Sequence, residues 1–127
     1  MTLRTGIILA AMAAGLAGPA AAQGDAAAGE RVFAKCRACH QVGPDARNGV
    51  GPALTNVVDH EIASVEGFNY SEAFVAKKAE GFVWTEENLS AYLANPRAAI
   101  PGNRMAFPGL RNETELADMV AYLASFE

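Results

Sequence analysis

Cys36-Arg37-Ala38-Cys39-His40 gathers both cysteines of the chain and one of its two histidines into five residues. Two thiols three positions apart with an imidazole directly behind them suit several chemistries. A zinc site needs four ligands, and Cys36, Cys39, His40 and His60 would have to supply all of them, without paired spacing in the second half. A redox dithiol of the thioredoxin kind needs a βαβ setting. A disulfide between residues three apart closes a very small loop and stabilises little. The fourth reading is C-x-x-C-H as a covalent haem attachment motif, with two thiols bonded to the ring and the adjacent histidine carried to the iron as an axial ligand.

The flanking sequence favours the fourth reading. Upstream, Asp25 to Ala38 reads as an Ala-rich helix with Asp25 as its cap and Gly29, Val32, Phe33 and Cys36 on one face. Downstream, residues 41 to 59 are broken by Gly43-Pro44, Gly49 and Gly51-Pro52 and lack the period of two that a strand would show. Tyr70 to Ala79 is weakly helical and stops near Gly81. A firmer helix starts after Thr85, carries Glu86 and Glu87 in the first turn, where the helix dipole favours anions, and ends before Pro96. ANPRAAIPGNRMAFPG, residues 94–109, contains three prolines and excludes a long helix. The last helix begins near Asn112, with Glu115 three residues on and Leu116, Met119, Val120 and Leu123 at helical spacing. The expected fold class is therefore all-α, three to four short helices and long loops. Loops of that length in so small a domain call for a large central ligand to organise them.

A haem held by His40 leaves the other face of the iron to be filled, and methionine or histidine are the candidates. Met1 and Met12 lie in the N-terminal segment, and Met119 sits on the apolar stripe of the last helix. Met105, between Pro101 and Pro108, is on a stiff loop that lowers the entropy cost of presenting a thioether; its alternative role is core filling.

The N-terminus bears on where this chemistry takes place. Residues 1–22 carry one charge, Arg4, then the apolar run GIILAAMAAGLAG, and end in Ala20-Ala21-Ala22 before Gln23. That is the pattern of a cleavable secretory signal, implying periplasmic export of a domain spanning 23–127. A retained membrane anchor is the alternative, but the uncharged run is short, Ala- and Gly-rich and interrupted by Pro19. The whole chain of 127 residues has a formal charge of −4, and losing residues 1–22 removes one basic residue and no acidic one. Such an acidic balance argues against a nucleic-acid partner.

With CRACH near the start, the segments GPALTNVV, GFNYSEAF, FVWTEENLSAYLANPRAAIPGNRMAF and ELADMVAYL follow in an order that resembles class I c-type cytochromes, the mitochondrial-like bacterial subgroup of cytochrome c-two type. The likeness spans nearly all of residues 23–127. It implies a small cytochrome c fold wrapped around one covalently bound haem c, with Cys36 and Cys39 carrying the ring and His40 and Met105 as the axial iron ligands. It further implies that Pro52 accepts a hydrogen bond from the proximal histidine, that Tyr70 and Trp84 bond a haem propionate, and that Tyr92 lies beside the ligating sulfur. Gly29 and Phe33 match first-helix residues packed on the last helix, against Met119 and Tyr122.

Three departures stand out. His60 falls where relatives often have arginine near a propionate, Asn103 where they often have threonine, and SEAFVAKKAEG is longer than in the short mitochondrial form. His60 beside a propionate would couple the iron's charge to proton uptake near neutral pH. The implied function is a soluble, monomeric periplasmic electron carrier and not an enzyme. Its expected partners are a membrane redox complex (a quinol–cytochrome c reductase, terminal oxidase or photosynthetic reaction centre) or a periplasmic dehydrogenase or reductase. Lys35, Arg37, Arg97, Arg104 and Arg111 would form a basic rim at the haem edge facing an acidic partner. The rival function is a haem enzyme or ligand sensor with a displaceable Met105.

Overall fold

A computed structural model describes Gly15 and residues 24–127. The expected signal segment, Gly15 apart, lies outside the described residues. Five α-helices occur among them: α1 Ala26–Val32, α2 Glu72–Ala79, α3 Glu86–Ala94, α4 Pro96–Ala99 and α5 Glu113–Ala124. The only strand-like pairing described is a single bridge between Glu61 and Val83. The fold class is therefore all-α.

Each helix starts where a short polar side chain can satisfy its first N–H groups. Asp25 accepts from the N–H of Ala27 and Ala28, Ser71 from Phe74, Thr85 from Asn88, and Asn112 from Thr114 and Glu115. The first helix is shorter than its composition suggests. Regular α-helix ends at Val32, the chain tightens into a 3-10 turn over Phe33–Lys35, and Cys36 to Cys39 follow as turns. The cysteines therefore leave from the end of the helix and not from its side. At the last helix, Glu115 does not reach back to close a capping box; its carboxylate pairs with Lys35 at 2.9 Å.

α1 and α5 cross at close range. A Cβ on Gly29 would overlap the Asp118 carbonyl and the Tyr122 Cβ, so the two backbones meet only because position 29 has no side chain. The start of α1 is also pinned to α5, since the Asp25 N–H donates to Asp118 Oδ1 at 2.7 Å. Phe33 packs against Tyr122 with the rings tilted and their centroids 5.5 Å apart, and Phe33, Met119 and Leu123 are buried. Burying each such side chain contributes about 1.5–3 kcal/mol, which makes this crossing the main apolar anchor of the two chain ends.

Between the crossing helices the loops are fastened by side chains and short backbone pairings. Thr55 Oγ1 accepts from Gly43 N–H and donates to its carbonyl, and the Gly51 N–H donates to the Cys39 carbonyl at 2.9 Å. Asp59 N–H bonds to the Trp84 carbonyl at 2.7 Å and Trp84 N–H to the His60 carbonyl at 2.8 Å, which sets residues 59–62 against 82–84. Leu110 N–H reaches the Leu93 carbonyl at 2.8 Å and ties the end of the proline-rich loop to α3.

Candidate functional site

The loops enclose a mainly apolar cavity of about 600 Å³, within the range of sites that hold cofactors. Cys36, Cys39, His40 and Pro52 line it together with Tyr70, Trp84, Tyr92 and Met105. The eight haem- and iron-binding candidates read from the sequence therefore meet in one place.

The His40 ring is set by its neighbours. Its Nδ1 lies 2.7 Å from the Pro52 carbonyl oxygen, and because a carbonyl can only accept, Nδ1 must carry the proton. In the neutral ring this leaves the Nε2 lone pair available to a metal. Gly51 sits against the same ring so closely that a Cβ there would run into it. This role of Gly51 escaped the sequence reading, which gave Pro52 its hydrogen bond but took Gly51 only as part of a chain break.

Cys36 and Cys39 are both free thiols at the cavity. Burial raises the pKa of Cys36, opposed by the Lys35 ammonium beside it and assisted by Cys39. Among the described residues no three of His, Cys, Asp or Glu gather as metal donors, so the zinc staple lacks its ligand set.

An aromatic wall lines much of the rest. Tyr70, Phe74, Trp84 and Tyr92 follow one another with ring centroids 5.0 to 6.0 Å apart. Phe74 and Phe68, which continue this wall, were not singled out from sequence; the signal was their place in GFNYSEAF, at helical and turn spacing from Tyr70. The Tyr70 hydroxyl accepts from the Val65 N–H at 3.0 Å, and burial raises its pKa, an effect that this hydrogen bond partly offsets. Tyr92 is buried, its pKa lies well above that of an ordinary phenol because its charged form would lose water, and its hydroxyl lies 3.9 Å from Met105 Sδ. Met119, expected in the core, is buried and also lines the cavity.

His60 is exposed at the cavity, with Nδ1 3.1 Å from the Val58 carbonyl. The basic rim expected from sequence is thinner than its residue count. Lys35 is paired with Glu115, whereas Arg37 lies over the Phe33 ring at 5.9 Å and Arg104 donates to the Asn69 carbonyl at 3.0 Å.

The family model for cytochrome c matches residues 26–127. The chain belongs to the cytochrome c family. Among curated relatives, a cytochrome c-554 from Methylosinus trichosporium is 50% identical over 110 residues, covering 87% of this chain and 81% of the relative. A cytochrome c2 from Rhodomicrobium vannielii is 49% identical over 104 residues, covering 82% of this chain and 81% of the relative. Among solved structures, cytochrome c2 from Rhodospirillum centenum superposes with a TM-score of 0.76 at 46% identity, covering 81% of this chain and 98% of that one.

Membership brings one covalently bound c-type haem with its iron and an electron-carrying role. The residues of this cytochrome c fit that group. Two thiols three apart open onto an apolar cavity, and an imidazole beside them has its Nδ1 already committed to a carbonyl. Among the described residues no helix is long and apolar enough to cross a membrane.

Proposed function

We propose that this cytochrome c is a periplasmic carrier whose iron is held between His40 Nε2 and Met105 Sδ, with the ring bonded to Cys36 and Cys39. The observation that carries the reading is the placement of these four residues on one cavity with His40 Nδ1 committed to Pro52. When bound, the haem would supply reversible one-electron exchange, and with His40 and Met105 both holding the iron no position would be left for substrate.

The protein's part is rigidity and exclusion of water. Pro52 and Gly51 fix the plane of the His40 ring, and the wall formed by Tyr70, Phe74, Trp84 and Tyr92 keeps the cavity apolar. A thioether ligand and an apolar surround both favour the reduced, less charged state and raise the reduction potential. The hydroxyl of Tyr92, 3.9 Å from Met105 Sδ, acts in the same direction to the extent that its proton is shared with the sulfur. Tyr70 and Trp84 are assigned to the propionate side.

Residues 1–22 are assigned as a signal removed on export, which an intact mass beginning at Gln23 and carrying one haem would establish. Arg37, Arg97, Arg104 and Arg111 are exposed and supply positive charge for an acidic docking surface on a reductase, an oxidase, a photosynthetic reaction centre or a periplasmic dehydrogenase. The deciding experiment is the absorption spectrum of the exported protein, oxidised and reduced, before and after denaturation and with carbon monoxide. Colour that stays with the denatured chain, a sulfur-to-iron band in the oxidised form and indifference to carbon monoxide are expected. Rapid carbon monoxide binding would remove Met105 from the iron and move the protein to a ligand-binding role.

A further inference from the structure

Asn103 stands at the centre of a small hydrogen-bond knot beside Met105. Its Nδ2 group donates to the Pro96 carbonyl at 3.0 Å and to the Ile100 carbonyl at 2.8 Å, using both amide hydrogens. Its Oδ1 accepts the Met105 N–H at 2.9 Å and lies 3.4 Å from the Tyr92 hydroxyl. All four bonding positions of the side-chain amide are thereby occupied. The neighbours also fix its orientation, since a flipped amide would set N–H against the Met105 N–H and oxygen against two carbonyls.

The partners come from three places in the chain. Pro96 and Ile100 belong to α4 and its C-terminal end, Tyr92 to α3, and Met105 to the loop beyond the Pro101-Gly102 turn, where Gly102 takes a φ of +86°. The Pro96 carbonyl also accepts the Ile100 N–H at 3.0 Å and the Ile100 carbonyl the Asn103 N–H at 3.2 Å, so the Asn103 side chain adds a second hydrogen bond to each at the end of this four-residue helix. The same side chain that seals α4 therefore sets the height at which Met105 leaves the loop.

A second consequence follows from Tyr92. Its one hydroxyl proton faces two acceptors, Asn103 Oδ1 at 3.4 Å and Met105 Sδ at 3.9 Å. A carbonyl-type oxygen is a stronger acceptor than a thioether. We infer that Asn103 is a positioning residue for the Met105 thioether, clamping the Met105 backbone to α4 and competing with its sulfur for the Tyr92 hydroxyl.

The inference rests on the proposed ligation of iron by Met105, and three measurements on the haem-loaded protein separate the two. In the reduced wild-type protein, the Met105 amide should exchange with deuterium at least about tenfold more slowly than that of Ala106, which is exposed and has no acceptor for its N–H among the described residues. In the oxidised protein, Asn103→Ala should admit imidazole to the iron about tenfold faster. Asn103→Asp, which sets one carboxylate oxygen against the two α4 carbonyls, should do the same.

The sulfur-to-iron band should also shift in Asn103→Ala, and that shift should vanish in a Tyr92→Phe background, a dependence that loss of packing alone would not produce. A wild-type protein lacking the band overturns both the ligation and the inference. If the band is present, unprotected Met105 exchange, or unchanged imidazole entry and an unchanged band in Asn103→Ala, overturns the inference alone. Should Asn103→Ala fail to hold haem, the wild-type exchange measurement decides.

Discussion

His40 Nδ1 lies 2.7 Å from the Pro52 carbonyl oxygen, and the residue between the two segments, Gly51, touches the face of the same imidazole. The ring is thus held along its edge by a hydrogen bond and across its plane by backbone. Gly51→Ala adds a methyl where the ring already lies, so either the ring tilts or the loop moves. Overpacking of this kind costs about 1–3 kcal/mol. Thermal melting of the haem-loaded variant should fall accordingly. A variant that melts like the wild type would mean that the ring has room to move.

Met105→Ala tests the assignment of the distal position. Removing the thioether should abolish the sulfur-to-iron band, lower the reduction potential, and turn a protein indifferent to carbon monoxide into one that binds it in the reduced state. Met105 lies only partly buried at the cavity, so the fold should survive the change better than the spectrum does. Retention of the band in Met105→Ala would give the sulfur to another residue; Met119, buried at the same cavity, is the other methionine described there.

The contact between α1 and α5 should tolerate no side chain at position 29. Gly29→Val drives a branched group into the Asp118 carbonyl and the Tyr122 Cβ, and also strains the hydrogen bond from Asp25 N–H to Asp118 Oδ1. A loss of stability at the upper end of the 1–3 kcal/mol range for overpacking, or failure to accumulate the folded protein, is expected. Denaturant titration of the haem-loaded protein measures it, with the slope unchanged if only stability is lost.

How far the sequence could be read depends on how far apart the interacting residues are. Asp25, Thr85 and Asn112 cap the helices they precede because a cap needs only the next three residues, and these were legible. The early end of α1 was not. Phe33 must turn onto Tyr122, which lies 89 positions away in a helix whose placement no local pattern reveals, and the chain tightens to do so. Glu115 looks like the second half of a capping box until α1 brings Lys35 within 2.9 Å. The gathering of CRACH, Tyr70, Trp84, Tyr92 and Met105 onto one cavity followed from the family likeness, since spacing alone cannot bring residues so far apart in the chain together. Asn103 could be seen as a departure from that likeness, but its partners on α3 and α4 appear only in three dimensions.

Tyr70 makes the stability depend on pH at the alkaline end. Burial disfavours its phenolate and raises its folded-state pKa above the ordinary value, while the Val65 N–H favours the charged form and offsets part of the rise. In the unfolded chain the phenol ionises near pH ~10. Below that pH both states are protonated and the contribution is fully present; as pH rises towards the folded-state pKa, the unfolded chain sheds its proton first and stability is lost. Tyr70→Phe removes this titration and leaves the Val65 N–H without its acceptor, a cost of about 1 kcal/mol that does not vary with pH. The variant should therefore melt lower than the wild type at neutral pH, and the gap should narrow between pH ~9 and ~11. A gap that stays constant across that range would mean that Tyr70 ionises as readily in the folded protein as in the unfolded chain.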